Sequence, residues 1–195
     1  MNYLAHLFLA GDTAESMIGN LAGDFVKGVL HDRFPPAITA GIRMHRAIDA
    51  FTDAHPEVAA FRRVLIPEIG HYSRVVSDVF FDHFLACDWA KYSDQRIEDF
   101  LARAYARIDP HAAELPGRLA LVYPRLRDEQ WLLSYQSIEG IHTALYYLSR
   151  RLSRRPQLES SVHHLTDSRE ELRARFSAFF PDVVAYSEQI VDRGS

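Results

Sequence analysis

The stretch Gly41-Ile42-Arg43-Met44-His45-Arg46-Ala47-Ile48-Asp49-Ala50-Phe51-Thr52-Asp53 decides how this chain is read. It forms the second half of a helix opened by Pro35-Pro36, proline being suited to a first helical turn. Ile38, Ile42, His45 and Asp49 follow one another at spacings of four, three and four, which puts them on one side of an α-helix. A row that begins with two isoleucines points into a core. This one continues with an imidazole and a carboxylate, and Asp53 follows a turn later. Burying ionisable groups is costly unless they find partners. A metal ion would use both a His and an Asp, and a buried His–Asp hydrogen bond would satisfy them equally.

Working outward, the central helix ends by His55, because the residue before Pro56 is pushed out of helical geometry. Upstream, residues 2–10 form an apolar run, helical or extended, with His6 as its strongly polar member. Asp12-Thr13-Ala14-Glu15 has the spacing of a capping box and predicts a helix from about Thr13 to Gly28 that carries Asn20 and Asp24 one turn apart. His31-Asp32, a literal metal-motif dipeptide, falls between Gly28 and Pro35 and reads as a solvated loop. Downstream, a short helix from Glu57 to Leu65 carries Arg62-Arg63 and is broken by Pro67 and Gly70. The helix from about Tyr72 to Ala90 repeats the central pattern, with Val75, Asp78, Asp82, Leu85 and Trp89 in one row and His83 beside it. Two carboxylates one turn apart in an apolar row repel each other unless a cation or a shared proton intervenes.

The remainder is helical as well: 97–108, 119–126, 130–135, and 138–152 with a basic close at Arg150-Arg151 and Arg154-Arg155 that complements the helix dipole. A capping box at Ser168–Glu171 opens a helix to Phe180, Pro181 breaks it, and a last helix reaches Val191. No segment alternates as a strand would. The expectation is one all-α domain over residues 1–195, a bundle of roughly eight or nine helices.

A chain of 195 residues can build a full core, and 48% hydrophobic with 25% charged residues is ordinary for a globular protein. The net charge of -4 gives no nucleic-acid signature. One cysteine, Cys87, excludes an internal disulfide and a cysteine-rich zinc site, and fits a reducing cytoplasm. No apolar run approaches the ~20 residues needed to span a bilayer, and no basic region of a signal peptide precedes Tyr3, so no membrane partner is expected.

Four segments thus place His or Asp in apolar surroundings: His6, Asp24, the His45/Asp49/Asp53 row and the Asp78/Asp82/His83 cluster. Together they resemble a mixed His/Asp metal site built between helices. Imidazole with carboxylate suits Mn, Fe, Mg or Zn, and such a site binds phosphoryl oxygens and activates water. The reaction class this suggests is metal-assisted hydrolysis of a phosphate ester, with redox chemistry at a bound iron the alternative that spacing leaves open.

Asn2-x-Leu4-Ala5-His6, Gly19-Asn20-Leu21-x-x-Asp24-Phe25, His45-Arg46-x-Ile48-Asp49-x-Phe51-Thr52-Asp53 with His55-Pro56, and Asp78-x-x-x-Asp82-His83-Phe84-Leu85 with Trp89 resemble the acyl carrier protein phosphodiesterases. The likeness continues through Glu129-Gln130-Trp131-Leu132 and Ser149-Arg150-Arg151. The resemblance implies an all-α, HD-like, metal-dependent phosphohydrolase, although the parent superfamily's order of His, His-Asp, Asp is not plainly reproduced. It implies Mn²⁺, with Mg²⁺ or Fe²⁺ as substitutes, and removal of 4′-phosphopantetheine from the serine of holo-acyl carrier protein. On it, His6, Asp24, His45 and Asp82 are the expected metal ligands. Asp49, Asp78 and His83 are expected as further ligands, orienting groups or the general acid, and Arg46 as a phosphate contact. The carrier is acidic, so Lys27, Arg43, Arg62 and Arg63 are the expected docking cations. Two other readings stand beside this one: an HD-type enzyme acting on a nucleotide phosphate, and a non-catalytic helical module that binds a metal or a carrier.

Overall fold

The computed structural model describes residues 1–31, 33–154 and 156–194, the last two by their backbone alone. Asp32 and Arg155 lie outside the described residues. All regular structure among the described residues is helical: α1 (Tyr3–Leu9), α2 (Ala14–Ala22), α3 (Pro36–Ala54), α4 (Pro56–Ile69), α5 (Ser73–Cys87), α6 (Ile97–Ile108), α7 (Leu119–Asp128), α8 (Trp131–Ser134), α9 (Ile138–Ser149), α10 (His164–Asp167) and α11 (Arg169–Gly194), joined by short 3₁₀ turns.

The apolar run 2–10 is a helix with its side chains buried on nearly every face, packed against α2 and α5. Asn2, at its N-cap, supplies no side-chain cap. Asp82 of α5 does so instead, accepting the backbone N–H groups of Leu4 at 2.8 Å and Ala5 at 3.0 Å. These are the second and third residues of α1, the donors that an N-cap side chain ordinarily satisfies. Thr13 caps α2 as its spacing predicts, accepting the Ser16 N–H at 3.2 Å.

Helices α2 and α3 cross closely, which their glycines permit. A Cβ on Gly19 would lie 2.5 Å from the Ile38 carbonyl oxygen and 2.6 Å from the Gly41 Cα. The aromatic half of the core lies between α4, α5 and α11. Phe61, Phe81, Phe84, Phe176, Phe179 and Phe180 are fully buried. Their centroids are separated by 4.8 Å for Phe61–Phe81, 5.4 Å for Phe81–Phe179 and 4.9 Å for Phe176–Phe180.

Two predicted breaks are absent, at Pro67 and Pro181, and the helix predicted across Pro124 is present. Pro67 lies inside α4, Pro124 inside α7 and Pro181 inside α11. An internal proline costs about 3 kcal/mol through a lost hydrogen bond and a clash. In α11 the buried row Leu172, Phe176, Phe179, Phe180, Val183 runs straight across the proline. At about 1.5–3 kcal/mol per buried side chain, that row outweighs the defect. Helix α2 departs the other way, ending at Ala22 rather than Gly28. The early end matters, because it turns Asp24 toward α3.

Candidate active site

The row read from the sequence lies where its spacing puts it. Ile42 is fully buried, His45 is 3% exposed, and Asp49 is half-buried at the open end of the row. α1 brings His6 against it. The His6 and His45 rings stack with centroids 3.8 Å apart. Nε2 of His6 lies 3.1 Å from Oδ1 of Asp49, and Nε2 of His45 lies 3.2 Å from Oδ2 of the same carboxylate. Asp24 approaches from the far side, its Oδ1 3.6 Å from Nε2 of His45. Such closeness needs Gly23, where a Cβ would sit 2.1 Å from Cγ of His45.

The Nδ1 of His45 is 2.8 Å from the backbone carbonyl of Asn20. A carbonyl only accepts, so Nδ1 carries the hydrogen, and in the neutral ring Nε2 presents a lone pair to two carboxylates. A cation must stand there. In the protein alone it is a proton. Desolvation opposes charge on His45, but the adjacent carboxylates of Asp24 and Asp49 outweigh it and raise its pKa to about 9. His6 goes the other way, lowered to about 4 by burial and by the neighbouring His45 charge. Burial also works against Asp49, yet its bonds from both imidazoles hold it far below the usual carboxylate range. For Asp24, desolvation is likewise overcome by the neighbouring His45 charge, which lowers the pKa.

The residues fit a divalent ion. His6, His45 and Asp49 each offer a ligand atom within 4.8 Å of the others. Neighbouring ligands of an octahedral ion with bonds of about 2.1 Å lie about 3.0 Å apart, and the His–Asp49 separations are 3.1 and 3.2 Å. The backbone-held Nδ1 of His45 is the arrangement that orients metal-bound histidines.

A family model described as acyl carrier protein phosphodiesterase matches residues 1–183. This chain belongs to that family. It is 35% identical over 190 residues, 97% of this chain and 98% of the relative, to proteins named acyl carrier protein phosphodiesterase from Escherichia coli strains K12, SMS-3-5 and Crooks. No solved structure matches the chain.

The motifs that carry the family likeness do not all converge. His6, His45, Asp49 and Asp24 do. Asp82, expected as a ligand, lies beneath α1 with both oxygens accepting backbone N–H groups, and Asp49 takes its place in the cluster. Burial nonetheless pushes Asp82 up to about 7. His83 is turned away, its Nδ1 2.7 Å from the Tyr135 carbonyl and its ring beside Cys87. Asp78 lies at the rim, 3.3 Å from the Met1 amino group, which is itself 3.1 Å from Asp49. Burial raises the Asp78 pKa against the pull of that amino group and of Arg62. The Met1 amino group rises to about 11, since Asp78 and Asp49 together outweigh its own desolvation.

The cations differ in the same way. Arg46 donates to the Val26 carbonyl at 2.8 Å and so fastens the loop that follows Asp24. Arg62, expected at a docking surface, is buried: it donates to Ser77 at 3.0 Å and Asp53 at 2.8 Å and lies 3.6 Å from Asp78. Half-exposed Asp53 on α3 and half-buried Asp78 on α5 hold that charge within the chain. Lys27, Arg43 and Arg63 are exposed. Beside Asp24 a cavity of about 70 Å³ is lined by Tyr3, Trp131, Tyr135 and Arg151. Arg151 was read as part of a basic helix end and of the Ser149-Arg150-Arg151 likeness, not as a site residue, and its place here depends on α9 packing over α5.

Proposed function

We propose that this chain hydrolyses the phosphodiester joining 4′-phosphopantetheine to the serine of holo-acyl carrier protein. A divalent ion of the manganese class is held by His6, His45 and Asp49, with Asp24 alongside. The observation that carries the reading is the convergence of the His6 and His45 Nε2 atoms on one carboxylate in a chain of this family. When bound, the ion polarises a phosphoryl oxygen and lowers the pKa of a water.

The chain's own residues do the rest. Asn20, through its carbonyl, holds the His45 tautomer. Asp49 orients both imidazoles. Arg151, at the cavity beside Asp24, meets the negative phosphate from the phosphopantetheine side. Asp78, whose carboxyl is pushed up by burial, supplies the proton that the leaving serine oxygen requires. The protein partner docks through exposed cations on the α4–α5 face. The lone thiol of Cys87 and the expected carrier partner both suit the cytoplasm. Among the described residues no helix is long and apolar enough to cross a membrane.

The test is mass spectrometry of holo-carrier after incubation with this protein and Mn²⁺. The carrier should lose the phosphopantetheine mass with wild type and keep it with His45→Ala. An unchanged holo mass with wild type and metal supplied would overturn the reading.

A further inference from the structure

A second convergence of metal-ligating side chains lies elsewhere among the described residues, shared with none of the groups around His45. Glu68 occupies the last turn of α4. His163 closes the 3₁₀ turn Leu158–His163, and His164 opens α10. Both imidazoles approach one oxygen: Nε2 of His163 is 3.2 Å and Nε2 of His164 is 3.0 Å from Oε2 of Glu68. Their ring centroids are 4.2 Å apart.

Proton positions make this arrangement informative. Nδ1 of His163 lies 3.0 Å from the Ser160 carbonyl, so Nδ1 carries the hydrogen. In the neutral ring Nε2 then aims a lone pair at a carboxylate oxygen that is also rich in lone pairs. Nε2 of His164 is shut off from water and makes no hydrogen bond, even though it lies 3.0 Å from that oxygen. The contact is therefore proximity without donation, and a cation between the three atoms resolves it. The spacing agrees. Ligands at about 2.0–2.1 Å from a tetrahedral zinc ion lie about 3.3 Å from one another. A ring fixed at Nδ1 by a carbonyl and presenting Nε2 is how metal-bound histidines are held. Two imidazoles with one carboxylate favour zinc over magnesium or calcium, which prefer oxygen.

We propose that Glu68, His163 and His164 form a second metal site, specific for a zinc-class ion, that fastens the end of α4 to the segment entering α11. His163 and Glu68 are exposed, which leaves the fourth position open to water. The site joins residues 95 apart in sequence, so occupancy stabilises the folded chain and not the unfolded one. It stands independently of the proposed reaction.

The test uses the full chain, stripped with chelator and titrated with Zn²⁺ against a chromophoric zinc indicator. His45→Ala removes the first site and should leave one equivalent bound, with a rise in Tm on adding zinc. Adding His163→Asn should abolish that equivalent and the Tm rise together. Glu68→Gln should weaken it at least tenfold. In the otherwise wild-type chain, His163→Asn should lower the stoichiometry by one, which guards against a His45→Ala chain that fails to fold. His163 is exposed, so circular dichroism should show unchanged helix content. If stoichiometry and Tm shift survive His163→Asn in both backgrounds, or if His45→Ala folds and binds no zinc, the site does not exist.

Discussion

At His45 a single carbonyl decides the chemistry. The Asn20 oxygen takes the Nδ1 hydrogen, and Nε2 is left to share one cation with Asp24 and Asp49. In the metal-free protein that cation is a proton, with a pKa near 9 against 6.5 for the ordinary imidazole. The sign follows. A raised histidine adds stability that is complete below pH 6.5 and is lost as pH climbs through 9. Metal must displace the same proton, so affinity for Mn²⁺ should rise by up to about tenfold per pH unit from 6.5 toward 9 and then level. Titration calorimetry across that range checks it, and a flat profile would show that His45 holds no proton there. His6, already lowered to about 4, adds nothing to the slope. A second expectation concerns Gly23. With a Cβ 2.1 Å from Cγ of His45, Gly23→Ala must push the ring from Asp49. Metal affinity should fall about 10–100-fold, the range seen when ligand-orienting groups are disturbed. Far-UV circular dichroism should stay unchanged. Equal metal affinity in the variant would mean that the ring has room to spare.

Between elements, the decisive contacts join helices far apart in sequence. Arg62 of α4 bridges Asp53 of α3 and Asp78 of α5 from a buried position. Removing one member of a buried ionic set strands the others. Arg62→Ala should destabilise the fold by about 3 kcal/mol, the low side of the usual range because Asp53 is half exposed. Urea denaturation measures this, and a loss below about 0.5 kcal/mol would place Arg62 with ordinary surface pairs. The helices themselves were legible because apolar residues recur every three or four positions, so α3, α5 and α6 lie within a few residues of their predicted bounds. His6, His45 and Asp49 stood out as polar residues in apolar rows, and Asp24 gained weight only from their company. Periodicity says that a side chain faces inward and does not say what it meets. Asp78 and Asp82 were equal on that ground, yet Asp82 caps α1 while Asp78 faces Arg62 and the Met1 amino group. The internal prolines hid for a related reason, since local rules register the broken turn and not the packing that outweighs it.

Across the whole molecule, the proposed function has a chain of net charge -4 meet a carrier expected to be acidic, so attraction has to be local. The α4–α5 face offers it. Arg63 and Arg74 flank a surface cavity of about 580 Å³, with Ile66 and His71 on its walls and Arg62 at its base. Arg62 connects this face to the candidate site, since its guanidinium lies 3.6 Å from Asp78, and Asp78 lies 3.3 Å from the amino group beside Asp49. Arg74 is 64% exposed and its bond to Asp53 spans 2.8 Å, so its charge is only partly spent within the chain. Cations placed this way steer an acidic partner toward the site and bind ground state and transition state alike. Arg63→Glu with Arg74→Glu should therefore raise KM for holo-carrier several-fold at low salt and leave kcat within about twofold. The penalty should shrink as salt rises, because the screening length falls from ~10 Å at 0.1 M to ~3 Å at 1 M. A small chromogenic phosphodiester, which needs no docking, should be cleaved at the wild-type rate. That control separates a lost surface from a damaged centre: a slowed small substrate would trace the defect to the His45 cluster. An unaltered KM for holo-carrier at low salt would assign docking to another face, with Lys27 and Arg43 the exposed members of the expected set left to carry it.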